Sequence, residues 1–84
     1  MQTMRNKMKI FLVNFTTYYD GYESGGSVLV KAESEEKAKK YVEENGDGYI
    51  THEDSGEDFD VDDIVEITEQ EAEIFKKANI DFMN

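Results

Sequence analysis

The chain contains no cysteine and no proline, and its longest uninterrupted apolar run is only four residues long, from Ile10 to Val13. Without cysteine it has no disulfide bridge, no zinc-thiolate site and no thiol nucleophile. A run of four apolar residues is too short for a membrane span or for the core of a signal peptide. The sequence therefore predicts a soluble cytoplasmic protein.

Positive charge is also scarce. Nine Lys and Arg residues stand against 20 Asp and Glu residues, which gives a net charge of −11 at pH 7. Such a surface repels phosphate groups, so the composition argues against DNA or RNA as a direct ligand and against binding to an anionic membrane. The 84 residues leave room for one domain.

The first part of the chain has the composition of a β-hairpin. Residues 1–8 are polar and without pattern, which predicts a flexible N-terminal tail ahead of a single α+β domain over residues 9–84. Residues 9–19 are rich in β-branched and aromatic side chains and are apolar on both faces, which predicts a central strand. Residues 20–27 are typical of a long turn, and residues 27–32 of a second strand.

Two helices are predicted from capping residues and from apolar spacing. Ser34 is a natural N-cap for a helix that runs to Asn45, with Gly46 as a left-handed residue at its end. Thr68 and Glu71 form a capping box ahead of a second amphipathic segment. Each helix follows a predicted strand along the chain.

Two further strands complete the predicted sheet, at residues 48–51 and 61–68, and the apolar residues Ile80, Phe82 and Met83 are expected to fold back on the core. The resulting order is β-β-α-β-β-α. It predicts a small, mainly antiparallel sheet with both helices packed on one face.

Negative charge is concentrated in one stretch of the chain. Residues 41–75 hold 14 of the 20 acidic residues and no Lys or Arg. Asp58, Asp60 and Asp62 alternate, so an extended backbone would project them from one face about 6.6–6.8 Å apart. Such a row of anions can occupy a basic groove that normally binds a phosphate backbone.

The predicted function is therefore inhibition or regulation of a basic nucleic-acid-binding protein, such as a nuclease or a defence effector, by nucleic-acid mimicry. The predicted partner-binding residues are Asp58, Asp60, Asp62 and Asp63 at the centre, Glu53, Asp54 and Glu57 beside them, and Tyr19 and Tyr22 as aromatic anchors near the hairpin tip.

One segment resembles a module of mobile-element proteins. Residues 27–44 contain a strand that leads directly into a helix, with a pattern carried by Val30, Ala32, Glu33, Ser34, Glu35, Glu36 and Ala38. This arrangement resembles the DpnD/PcfM type of protein. The overall profile is similar to the small acidic anti-restriction and anti-CRISPR inhibitors. The resemblance implies an origin in a phage or mobile element and carries over no functional residues.

Two other functions compete with mimicry. One is a small protein-interaction module that uses its sheet edge or hairpin, with acidity serving solubility alone. Alternatively, residues 58–69 place carboxylates at EF-hand positions 1, 3, 5, 9 and 12, although Asp63 stands where glycine is expected. No metal or cofactor is predicted. Catalysis is not predicted either, because the single histidine, His52, has no recognisable nucleophile beside it.

Overall fold

A computed structural model describes residues 8–46, 49–51 and 58–84. Within these residues the chain forms β1 (Lys9–Tyr19), β2 (Tyr22–Ala32), α1 (Glu35–Asn45), β3 (Asp58–Ile67) and α2 (Glu69–Lys77), in that order. β1 lies between β2 and β3 and is antiparallel to both. The predicted α+β class is confirmed, and so is the central position of the first strand.

The hairpin between β1 and β2 is tighter than the sequence predicts. Tyr19 lies opposite Tyr22, so the loop consists of Asp20 and Gly21 alone. Both have positive φ angles, 50° and 84°, which is the conformation of a type I′ turn. The predicted long tip over residues 20–27 is wrong, because Asp-Gly by itself completes the reversal and strand pairing starts again at Tyr22.

The glycines that indicated a long turn lie inside β2. Gly26 is paired with Phe15, and a Cβ atom at Gly26 would lie 2.7 Å from the Phe15 ring. Gly26 is therefore needed for the close approach of an aromatic side chain from the neighbouring strand and not for a turn.

Helix α1 covers one face of the sheet, which we call the α1 face. Ser34 caps the helix as predicted, because its hydroxyl accepts a hydrogen bond from the backbone N–H of Lys37. The helix buries Ala38 and Val42, one turn apart. The core on this face consists of these two residues together with Phe11, Val13, Val28, Val30 and Ala32.

Gly46 follows α1 in a right-handed conformation, with φ −67° and ψ −35°. The prediction that it would adopt the left-handed conformation is wrong. A Cβ atom at this position would collide with the Phe59 ring of β3 and would lie 2.8 Å from the carbonyl oxygen of Val42. Glycine is thus required here by packing against β3 and not by a helix-ending turn.

Helix α2 begins at the predicted capping box. Thr68 accepts a hydrogen bond from the N–H of Glu71, whose carboxylate accepts one from the N–H of Thr68. The helix ends at Lys77 and is capped by Ala78; the next residue, Asn79, has a φ of 70°, and the N–H of Ile80 donates to the carbonyl oxygen of Phe75. This is a Schellman ending with a left-handed asparagine.

The second helix lies on the other face of the sheet, which we call the α2 face. Buried Ala72 of α2 lines a groove together with Ile10 and Lys31. Ile10 and Lys31 are paired across β1 and β2, and their side chains point away from the α1 face. The prediction that both helices share one face is wrong in this detail. β1 is apolar on both faces, with Phe11 and Val13 on one and Ile10 and Leu12 on the other, so each face requires a cover.

The C-terminal segment closes the outer edge of β2. The N–H of Leu29 donates to the carbonyl oxygen of Asp81 at 3.0 Å, and the N–H of Met83 donates to that of Leu29 at 2.8 Å. The Asn84 amide accepts from the N–H of Lys31 and donates to its carbonyl oxygen. The predicted return of this tail onto the core is confirmed.

Of the predicted strand at residues 48–51, Gly48 lies outside the described residues, Tyr49 and Ile50 lie in a turn, and only Thr51 forms a single β-bridge. The backbone N–H groups of Tyr49, Ile50 and Thr51 all point to the carbonyl oxygen of Gly46 and produce a compact turn after α1. The observed order in the described residues is therefore β-β-α-β-α. Neither described helix is long and apolar enough to cross a membrane.

Candidate functional site: an acidic sheet face

Strand β3 carries the predicted central aspartates, and it contains an irregularity that the sequence does not reveal. Asp60 lies opposite Thr16 and Val61 opposite Phe15, as Asp58 lies opposite Tyr18, whereas the next residue of β1, Asn14, lies opposite Asp63. The register therefore shifts by one residue, and Asp62 is the extra residue of a β-bulge.

The bulge brings these aspartates to the same side of the sheet. The partners of Asp58, Asp60 and Asp63 are even-numbered residues of β1, which share the α2 face. The side chain of Asp62 reaches this face as well, because it accepts a hydrogen bond from the Thr16 hydroxyl at 2.6 Å.

Glu23 completes the cluster from the other side of β1, since it lies opposite Tyr18. The residues Glu23, Asp58, Asp60, Asp62 and Asp63 form what we call the acidic face, and all five are exposed. Helix α2 and the C-terminal segment meet the α2 face at Ile10, Leu29 and Lys31, towards its other end. The acidic face is thus the open half of a sheet face whose other half is covered.

Tyr18 lies at the centre of the acidic face and interacts with the charges around it. Burial raises the pKa of its phenol, and the charge of Asp60 and a hydrogen bond to that carboxylate raise it further. Glu23 and Asp62 add to the same shift. Tyr18 is therefore a neutral phenol at physiological pH that interacts with the carboxylate of Asp60.

Polar side chains of β1 and β2 continue this surface across the sheet. The Ser27 hydroxyl donates to the Asn14 amide oxygen, and Asn14 lies opposite Asp63. Together with the Thr16–Asp62 and Tyr18–Asp60 contacts, these bonds give the acidic face a polar support on a regular sheet.

The acidic face has no internal counter-charge among the described residues. The ion pairs among the described residues join Lys9 to Glu66, Lys37 to Glu33, Lys40 to Glu44 and Lys76 to Glu73. None of them involves a carboxylate of the acidic face. Its negative charge is consequently available to a cationic partner.

The predicted tyrosine anchors lie on the opposite side of the sheet from the aspartates. Tyr19 is an odd-numbered residue of β1 and is paired with Tyr22, so both belong to the α1 face. Both are exposed, at 52% and 76%. The tyrosine that does meet the aspartates is Tyr18, which the sequence analysis did not select; alternation along a central strand paired with β3 is the signal that identifies it.

Three flanking residues of the prediction, Glu53, Asp54 and Glu57, lie outside the described part of the chain, as does His52. The segment considered as a calcium-binding loop is a strand from Asp58 to Ile67. A paired strand does not wrap around an ion as an EF-hand loop does. Within residues 8–46, 49–51 and 58–84, no group of three or more acidic or histidine side chains is arranged to hold a metal ion.

Comparison with protein-family models, with curated proteins and with solved structures finds no match for this chain.

Proposed function

We propose that the protein is a non-enzymatic inhibitor or regulator, of phage or mobile-element origin, that binds a basic nucleic-acid-binding protein such as a nuclease or a defence effector. The acidic face would occupy the groove that normally receives a phosphate backbone. The observation that carries the proposal is the set of five exposed carboxylates on one open sheet face, without an ion-pair partner in the described residues.

The spacing of the carboxylates supports mimicry of a phosphate row. Residues two apart on a strand are separated by about 6.6–6.8 Å. One DNA strand presents a phosphate about every 3.4 Å along the duplex axis, so the strand repeat corresponds to every second phosphate. The bulge at Asp62 adds a further charge to the row, because Asp62 and Asp63 are adjacent in sequence and both belong to the acidic face.

The rigidity of the surface supports the same function. The aspartates are fixed on a strand that is hydrogen-bonded to the centre of the sheet, and Asp62 is held by the Thr16 hydroxyl. A preorganised row of charge loses less side-chain freedom on binding than an acidic loop would. Charge complementarity of this kind also steers a basic partner and speeds association.

The test compares two variants that lose the same amount of charge. In the first, Asp58, Asp60, Asp62 and Asp63 are replaced by Asn. In the matched control, four exposed glutamates away from the acidic face, Glu36, Glu44, Glu66 and Glu73, are replaced by Gln. Each tagged protein is used to capture proteins from a nuclease-treated host lysate, with washes at low and at high salt. The captured partner is then purified, and its affinity for each variant is measured.

Mimicry predicts a basic partner that is released at high salt and displaced by a duplex oligonucleotide. Exposed charge pairs act over only about 8–10 Å at physiological salt, so only carboxylates at the contact contribute to binding. The Asp-to-Asn variant loses four such carboxylates and should bind this partner at least about tenfold more weakly. The Glu-to-Gln control should bind as the unaltered chain does. Equal binding by both variants would contradict the proposal.

A second candidate follows from the position of β3 at the edge of the sheet. An edge strand can pair with a strand of another protein through its main chain, in which case the acidity serves solubility alone. Binding by this route would persist at high salt and in the Asp-to-Asn variant. The same capture experiment therefore separates the two functions.

A further inference from the structure

The hairpin that joins β1 and β2 extends beyond the part of the sheet that α1 covers. Both strands are 11 residues long, but the buried core under α1 ends at Val13 on β1 and Val28 on β2, and the partly buried Phe15 and Phe59 extend its packing to the level of Thr17. Residues 19–25 are all exposed, and the molecule measures 55 × 25 × 18 Å. We call residues 17–24 the hairpin arm.

The two faces of the hairpin arm differ in chemistry. Tyr18 and Glu23 face the same side as the aspartates of β3. The other side presents Tyr19 and Tyr22 directly opposite each other, and Thr17 and Ser24 follow as the next pair on that side. Directly opposite side chains have their Cβ atoms about 4.5–5.5 Å apart, so the two exposed phenols are neighbours on this side of the arm.

The turn fixes the backbone spacing of the two tyrosines and places a negative charge beside them. Asp20 and Gly21 take the only two positions of a tight turn, so the backbones of Tyr19 and Tyr22 stay paired. No Lys or Arg occurs between Ile10 and Val30, whereas Asp20 follows Tyr19 in the turn and Glu23 lies on the other side of the same arm. An aromatic ring in a negative field favours a cation over its face, and a planar guanidinium also stacks on it.

We infer that Tyr19 and Tyr22 form a second contact surface, which binds arginine side chains of the same basic partner from the side opposite the acidic face. The inference rests on the proposed function, because it assigns the partner's chemistry on the other side of the hairpin. The partner's basic surface must reach both sides of the arm. On the tyrosine side it must present arginine, because a lysine ammonium is compact and strongly hydrated and does not stack.

The test uses two synthetic peptides of equal length and charge, one of alternating Arg and Gly and the other of alternating Lys and Gly. Their affinities are measured for the full chain, for the Tyr19→Ser/Tyr22→Ser variant and for the Tyr19→Phe/Tyr22→Phe variant, which keeps both rings. Amide NMR spectra establish that each variant is folded. The signals of the tyrosine rings report where the peptide binds.

We expect the full chain to bind the arginine peptide about two- to fivefold more tightly than the lysine peptide, as exposed cation–π contacts allow. The Ser variant should lose this preference and the Phe variant should keep it. Equal affinity for both peptides in the full chain, or a preference that survives in the Ser variant, would overturn the inference.

The acidic face is tested separately with the same peptides. The Asp-to-Asn variant should bind both peptides more weakly by the same factor and retain the arginine preference. If that variant binds like the unaltered chain, the proposed function fails, whatever the tyrosines do. If only the preference is missing, the inference about the tyrosines fails and the proposed function stands.

Discussion

Replacing Leu29 by Ala tests whether the α2 face contains a core of its own. Leu29 is fully buried on the strand next to β1, and residues 81–83 are hydrogen-bonded along its backbone. Leu→Ala at such sites costs about 2.7–5.0 kcal/mol, with the smaller values where the surroundings can collapse. Because α2 is only nine residues long and can shift, we expect a loss of about 3 kcal/mol.

A loss of this size is large for so small a domain. At about 0.05–0.15 kcal/mol per residue, the 84-residue chain has a free energy of unfolding of about 4–13 kcal/mol. The variant should melt about 12–24 °C lower, at about 4–8 °C per kcal/mol. Its urea midpoint, followed by circular dichroism, should fall by about 2–3 M if the denaturant slope is near 1–1.5 kcal/mol/M.

Leu12→Ala provides the matched comparison. Leu12 lies directly opposite Leu29 on the same face but is only half-buried, so its replacement should cost about 1–2 kcal/mol. A cost below about 1 kcal/mol for Leu29→Ala, or one no greater than that for Leu12→Ala, would refute a packed core under α2 and the C-terminal segment.

Three further predictions concern single positions. Gly46→Ala should destabilise the protein by about 1–3 kcal/mol, because the added methyl group collides with the Phe59 ring; in a Phe59→Ala background the measured cost should shrink, and an unchanged cost would contradict this explanation. Thr68→Ala should cost about 1 kcal/mol in urea unfolding by removing the cap of α2, and no loss would show that the cap is dispensable. Asp60→Asn should lower the pKa of Tyr18, measured from the ¹³C shift of its Cζ atom, because the variant loses the charge beside the phenol. Since the folded-state pKa of Tyr18 is raised, the stability linked to it is complete below pH ~10 and is lost as the pH rises through the folded-state value; a Tyr18 signal that titrates identically in the Asp60→Asn variant would exclude the contact.

The helices were predictable from the sequence because their N-termini are capped by side chains only three residues away along the chain. Ser34 and Thr68 each satisfy a backbone N–H three residues ahead, and this needs no information about the rest of the fold. The glycines misled the prediction for the opposite reason. Gly26 and Gly46 are required by the rings of Phe15 and Phe59, which approach from other strands, and such contacts are not visible in a local pattern.

The candidate site was predictable in composition but not in geometry. Alternation correctly placed Asp58 and Asp60 on one face, since strand periodicity alone decides it. The addition of Asp63 depended on a register shift, which only the pairing with β1 determines. Which tyrosine lies beside the aspartates depends on the register between β1 and β3, which pairs Tyr18 with Asp58. These two residues are about 40 positions apart in the chain.

The bulge at Asp62 has a consequence for insertions and deletions in β3. The numbering of the residues that face α1 changes at the bulge. Before it, the odd-numbered Phe59 and Val61 point to the α1 face, and after it the even-numbered Ile64 does. The extra residue thus shifts the alternation of side chains by one position. Deleting Asp62 would leave a regular strand with every remaining side chain on its present face. A chain that lost the bulge by slipping one residue would instead turn Phe59 and Val61 towards solvent and Asp60 towards the core.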